Sequence, residues 1–150
     1  MFENSYTEAL VDSRALVLPT AVNEHLIKLA AAYYPREMCG VLTGRKTATE
    51  FKVNNFHWIP NISEEPDQWD YLMDPQAYFD AVMPVFANKN IDLVGIYHTH
   101  PKSLPYPSKM DIDSALKSGE NVPYLIYAPQ GGFRAWMLKE EQQQIRVITR

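Results

Sequence analysis

Cysteine is nearly missing from this 150-residue chain, where Cys39 is the only one. Counting alone therefore excludes an intramolecular disulfide and a cysteine-rich zinc knuckle, so any metal must rest on His, Asp or Glu. Long hydrophobic runs are missing too. The longest, such as Leu29 to Tyr34, fall far short of the roughly 20 residues that cross a bilayer, and no membrane span is expected. The opening residues Met1-Phe2-Glu3-Asn4-Ser5-Tyr6-Thr7-Glu8 have neither the basic start nor the apolar core of a secretory signal, which makes a cytoplasmic location the expectation. Nor is there an excess of basic charge: 14 Lys and Arg against 18 Asp and Glu leave a formal net charge of -4. Nucleic acid is not an expected partner, because its phosphate backbone would meet no basic footprint.

What is present is an ordinary globular composition, 46% hydrophobic and 21% charged, in a chain short enough for one core. The expectation is a polar N-terminal arm over residues 1–13 and a single domain over residues 14–150. A strand-like run, Ala15 to Leu18, precedes a helix capped by Thr20. Along that helix Val22, Leu26, Leu29, Ala30 and Tyr33 fall on one face until Pro35 stops it. Met38 to Leu42 reads as a buried strand, and Gly44 as the turn into a second, Thr49 to Val53.

Asn54 to Asp74 reads as one long loop carrying Trp58, Trp69 and the acidic cluster Glu64, Glu65, Asp67 and Asp70. Loops longer than about 12–15 residues are often functional, so this is a candidate substrate flap, with a solvated insertion as the alternative. Asp74-Pro75 opens a second helix with Tyr78, Phe79, Val82 and Phe86 on its apolar face, and Pro84 predicts a kink or an early break near Val82. Ile91 to Tyr97 has the two-sided apolar pattern of a central strand. A short helix follows, capped by Ser108 and stopped by Gly119. Tyr124 to Tyr127, a Gln130-Gly131-Gly132 turn, Phe133 to Leu138, and Ile145 to Ile148 read as closing strands. This order implies an α/β (α+β) fold, a mixed sheet with helices packed against it.

The residues that carry chemistry are His98-Thr99-His100-Pro101 and, five residues later, Pro107-Ser108-Lys109-Met110-Asp111. Residues two apart on a strand project to the same face, so His98 and His100 can converge on one metal ion while Thr99 points the other way. Pro101 ends the strand, and the returning chain can present Asp111 as a third ligand from the start of a helix. Three such ligands leave a fourth tetrahedral position for water, the arrangement of a catalytic zinc. Each half of the pattern also has a bland reading. A His-x-His pair is often a surface or core feature, and Ser-x-x-Asp is first of all a helix-capping pattern. A proton-carrying carboxylate is still needed, and Glu24, Glu37, Glu50, Glu64 and Glu65 are chemically equivalent on sequence grounds.

The string His98-x-His100, seven residues, Ser108, two residues, Asp111 resembles the complete signature of the JAMM (MPN-plus) metallopeptidases. Upstream, Glu37-Met38-Cys39-Gly40-Val41-Leu42-Thr43-Gly44 is similar to that family's glutamate-bearing strand. Asn54-Asn55, Asp74-Pro75, Leu93 to Tyr97 and Tyr124 to Tyr127 resemble it in order, from about residue 15 to the end. Only the first dozen residues and Pro84 fall outside it.

The resemblance implies a curved mixed sheet like that of cytidine deaminases and one zinc ion on His98, His100 and Asp111. It also implies Glu37 as general acid/base and Ser108 as the hydrogen-bond donor to the oxyanion. It further implies hydrolysis of a peptide or isopeptide bond at the C-terminal Gly-Gly tail of a ubiquitin-like or sulfur-carrier protein, as in stand-alone prokaryotic members. Two alternatives belong to other classes: a catalytically silent MPN-type binding scaffold, and a metal amidase acting on a small molecule or a peptidoglycan-like peptide. Cys39 lies in an apolar strand without an evident base, so a structural thiol is expected there. His25 and His57 stand isolated.

Overall fold

The structure, a computed structural model, describes residues 13–64 and 71–150. Most of the expected polar arm, and Glu65, Asp67, Trp69 and Asp70 of the expected loop, lie outside the described residues. Among those residues the strands are β1 (Ala15–Leu18), β2 (Cys39–Lys46), β3 (Glu50–Ile59), β4 (Asp92–Thr99), β5 (Tyr124–Ala128), β6 (Gly132–Leu138), β7 (Gln142–Ile145) and β8 (Val147–Thr149). The helices are α1 (Thr20–Tyr33), α2 (Pro75–Ala87) and α3 (Lys109–Ser118).

All eight strands join one mixed sheet in the order β7-β6-β5-β4-β2-β3-β1-β8. Consecutive strands β7 and β8 thus stand at opposite ends of that order. Ile145 pairs with Ala135 on β6, Val147 pairs with Leu16 on β1, and only Arg146 separates them. A segment that touches both ends requires the sheet to curve strongly between them. The sequence pattern suggested one strand from Ile145 to Ile148, and the change of partner at Arg146 is what divides it.

Alternation along the strands gives the sheet two apolar faces. On one, Leu16, Leu42, Phe51, Tyr97, Leu125 and Met137 pack with Leu26 of α1. On the other, Val41, Ile59, Ile96 and Ile126 pack beneath Ala77, Tyr78 and Ala81 of α2 and Ile112 and Ala115 of α3. Helix α1 therefore covers one side, α2 and α3 the other, as expected of a mixed sheet with helices on its faces.

Several local expectations need correction. Thr20 is the first residue of α1, whose N-cap is Pro19 with no side-chain cap bond. Gly44 does not turn the chain. It lies inside β2 at a register shift, where a Cβ would overlap the Lys52 carbonyl. The turn sits at Thr47, whose hydroxyl accepts from Glu50 N at 3.0 Å and Thr49 N at 3.2 Å. Beyond it β3 runs on to Ile59, so Asn54 to Ile59, read as the start of a loop, is strand, with Asn55 to Ile59 paired to Cys39–Thr43.

Helix α2 starts as expected, with Asp74 Oδ2 accepting from Ala77 N at 2.9 Å. It passes through Pro84 to Ala87 without breaking near Val82. Pro84 lies on the exposed side, where water can satisfy the carbonyl it leaves unpaired. Phe79 and Phe86, expected on the apolar face, are exposed, while Ala77, Tyr78, Ala81 and Val82 face the sheet.

Candidate active site

Strand register brings the chemistry-bearing residues to one face. Cys39 pairs with His98 across the antiparallel β2–β4 ladder. Carried outward, that register sets Met38 opposite Thr99 and Glu37 opposite His100. The pairing of Met38 with Thr99 is tied by two bonds: Thr99 N donates to Met38 O at 2.9 Å, and Met38 N donates to the Thr99 hydroxyl at 2.8 Å. Directly opposed residues share a face, so Glu37, Cys39, His98 and His100 project to the side covered by α2 and α3. Met38 packs on the other side with Leu42 and Tyr97.

The third element arrives from α3. Ser108 caps it in a reciprocal box: its hydroxyl accepts from Asp111 N at 3.2 Å and its own N–H donates to Asp111 Oδ2 at 2.8 Å. Gly119, in the left-handed conformation at φ 68°, ends the helix as expected. The loop between Pro101 and Ser108 is pinned to β6, where Trp136 Nε1 donates to Pro105 O at 3.0 Å and Tyr106 meets the Trp136 ring edge-on. Capping therefore does not compete with ligation at Asp111, because it fixes the carboxylate that faces the imidazoles.

The donor atoms meet. His98 Nε2 lies 3.2 Å from His100 Nε2 and 3.3 Å from Asp111 Oδ1, and His100 Nε2 lies 3.2 Å from Asp111 Oδ2. Ligands held 2.0–2.1 Å from a tetrahedral zinc stand about 3.3 Å from one another, so the separation of the two imidazole nitrogens matches one edge of such a site, while the Asp111 carboxylate turns one oxygen toward each ring. His100 Nδ1 lies 2.8 Å from the Leu104 carbonyl and must donate to it, which leaves the lone pair of the neutral ring on Nε2, toward the other two groups. All three residues are buried. The donor set fits a metal ion by spacing, tautomer and chemistry, and His98, His100 and Asp111 are a cluster able to hold one.

Electrostatics agree with that picture. Burial works against the Asp111 carboxylate, but the two imidazoles and the Ser108 N–H outweigh it and hold its pKa well below the usual carboxylate range. Burial likewise opposes charge on His100, yet hydrogen bonds to Asp111 and Leu104 and the nearby Asp111 and Glu37 charges raise its pKa overall.

Of the carboxylates left open by the sequence, Glu65 lies outside the described residues, and among the others Glu37 is the buried one, only 3% exposed. Glu24 and Glu64 are exposed, and Glu50 pairs with Arg150 at 3.1 Å. Cys39 is buried, and burial together with the Glu37 charge pushes its thiol up to about 12. His25 is exposed, whereas His57 is not isolated, since its Nε2 lies 2.8 Å from the Thr43 hydroxyl.

Two residues gained no functional reading from the sequence. Tyr71 stacks on His98 with ring centroids 4.6 Å apart and planes 26° from parallel. The residue is half-buried, and burial, then the Asp111 charge, raises its pKa well above the ordinary value. Asn61 donates to the Glu37 carbonyl at 3.1 Å and accepts from Ser63 N and Leu72 N, each at 3.0 Å. Neither position carries a local sequence signal, because both roles exist only once distant segments meet.

The model for prokaryotic homologues of the JAB domain matches residues 19–139, most of the chain. The chain belongs to this prokaryotic JAB family. Its relatives include a desampylase of Haloferax volcanii, 34% identical over 115 residues that cover 77% of this chain and 78% of the relative. A probable TtuB-protein conjugate cleaving protease of Thermus thermophilus is 33% identical over 124 residues, 83% of this chain and 74% of the relative. A solved protein of Desulfitobacterium hafniense shares the fold of this JAB protein with a TM-score of 0.77 at 24% identity, over 90% of this chain and 92% of the other. The JAB family, of the stand-alone JAMM/MPN type, agrees with the resemblance carried by His98, His100, Ser108 and Asp111 and makes the chain a JAMM-type peptidase. Among the described residues no helix is long and apolar enough to cross a membrane.

Proposed function

We propose that this JAB protein is a zinc-dependent isopeptidase that cleaves the amide bond at the C-terminal tail of a ubiquitin-like or sulfur-carrier protein. The observation that carries the reading is the convergence of His98 Nε2, His100 Nε2 and the Asp111 carboxylate within 3.2–3.3 Å, on the sheet face to which register also directs Glu37. The relatives named as a desampylase and as a probable TtuB-protein conjugate cleaving protease support the substrate class.

His98, His100 and Asp111 would hold one zinc ion and leave its fourth position open. Zinc bound there supplies Lewis-acid chemistry, acidifying a water ligand and polarising the scissile carbonyl. Glu37 takes a proton from the attacking water and passes it to the departing amine nitrogen, a transfer typically worth about 10²–10⁴ in rate. Its burial shields that carboxylate from bulk water. The Ser108 oxygen uses a lone pair to accept from Asp111 N, which leaves its O–H to donate to the carbonyl oxygen under attack. An extended Gly-Gly tail would approach with main-chain pairing beside the site, where glycine offers the least steric resistance.

The test is cleavage of a ubiquitin-like carrier whose tail is extended through a C-terminal amide. The zinc-loaded chain should release the extension, chelation should stop release, and zinc should restore it. Equal turnover of a short peptide lacking any carrier domain would contradict the substrate class and favour a general metal amidase.

A further inference from the structure

The two histidines are not supported alike. A metal-bound imidazole almost always gives its second ring N–H to an acceptor, which fixes both tautomer and ring orientation. His100 does so through Nδ1 and the Leu104 carbonyl at 2.8 Å. His98 does not: its Nδ1 is buried and has no hydrogen-bond partner among the described residues, and the residue is 0% exposed. What His98 has instead is an aromatic plane, the Tyr71 ring stacked at 4.6 Å and 26°.

We infer that Tyr71 is the positioning residue for His98, its ring face doing by stacking what the Leu104 carbonyl does for His100 by hydrogen bonding. The inference rests on the metal reading of the three-residue cluster. An imidazole without a bond at Nδ1 is free to rotate about χ2 unless its faces are blocked, and a stacked ring blocks one face while tolerating no large tilt. Tyr71 is itself held in place. Asn61 accepts from Leu72 N at 3.0 Å, Ile62 N donates to Leu72 O at 2.8 Å, and Asn61 bridges to Met73. The same Asn61 side chain donates to the Glu37 carbonyl at 3.1 Å. One short pairing thus fixes both the ring over the metal ligand and the peptide of the buried glutamate.

The test compares zinc affinity by competition with a chromogenic chelator in the wild-type chain, Tyr71→Phe and Tyr71→Leu, with cobalt substitution to read ligand geometry. Tyr71→Phe keeps the ring face and should bind within about twofold of wild type, with an unchanged cobalt spectrum. Tyr71→Leu fills apolar space without stacking and should weaken zinc by about tenfold or more, the usual effect of losing an outer partner of a ligand. Its metal-free melting should stay close to that of the wild type. Equal affinity in Tyr71→Leu would overturn the inference, as would a Tyr71→Phe loss as large as the leucine one, which would assign the role to the hydroxyl. A wild-type chain that takes up no zinc would overturn the metal reading and this inference with it. Should Tyr71→Leu not fold, proton NMR of the wild type decides. His98 ring protons must lie upfield of those of His100 because they sit over an aromatic face, and ordinary positions would refute the stacking.

Discussion

Thr99 stands between the two imidazoles in sequence and on the opposite side of the sheet, where its hydroxyl accepts a hydrogen bond from Met38 N at 2.8 Å. The bond is buried and fixes the peptide that follows Glu37. Thr99→Val keeps the shape and removes the acceptor, leaving a buried N–H unpaired at a cost of about 1–3 kcal/mol. Denaturant unfolding of the metal-free chain should show that loss, and turnover should fall further than zinc affinity does. A valine variant as stable and as active as wild type would show that the Met38–Thr99 clamp does not position Glu37.

Ser108 is given two tasks that substitution can separate. Its hydroxyl caps α3 by accepting from Asp111 N, and in the proposed mechanism the same group donates to the oxyanion. Ser108→Ala should cost about 1 kcal/mol of stability through the lost cap and about 10²–10³ in kcat through the lost donor. Ser108→Thr should restore most of both. An activity loss in the alanine variant no larger than the fraction unfolded would leave capping as the only role.

Cys39 reports on burial at the foot of the site. Its thiol is pushed up to about 12 by burial and by the Glu37 charge, so at pH 8 almost none is thiolate and iodoacetamide should label it only after denaturation. The sign of the linkage follows. A thiol whose pKa is raised on folding contributes stability that is fully present below its unfolded value near 9. That contribution is lost as pH climbs toward 12, by about 1.4 kcal/mol per pH unit in that window. Cys39→Ala should therefore flatten the alkaline fall in stability between pH 9 and pH 11. A parallel fall in wild type and variant would mean that the thiol is not the group responsible.

Much of the site was legible before any coordinates because its spacing is local. His98 and His100 share a face by strand alternation, and Asp111 follows Ser108 at the three-residue spacing of a capping box. Their order along the chain needs only one returning loop between them. The helices were legible for similar reasons at Pro75 and Gly119, where single residues dictate backbone geometry.

What escaped depends on partners far away in sequence. Asn54 to Ile59 opens with two polar residues and gives a weak strand signal, yet pairing of Asn55 to Ile59 with Cys39–Thr43 makes it strand. Arg146 interrupts a run that looks continuous, because the strand changes partner from β6 to β1 there. Tyr71 and Asn61 draw their roles from contacts with His98 and Glu37, and nothing in their neighbours announces those contacts. Residue chemistry alone leaves Glu37 level with Glu24, Glu50 and Glu64; the family resemblance picks it out in the sequence, and burial and register distinguish it in the structure.

Metal ligation by His98, His100 and Asp111 with Glu37 as proton carrier is tested by zinc content per chain, by elemental analysis after dialysis, set beside turnover for wild type, Glu37→Gln and His98→Ala. The wild type should hold one zinc, Glu37→Gln should hold one zinc with turnover reduced at least about 10²-fold, and His98→Ala should have neither zinc nor turnover. Zinc retained by His98→Ala, or normal turnover by Glu37→Gln, would contradict that assignment.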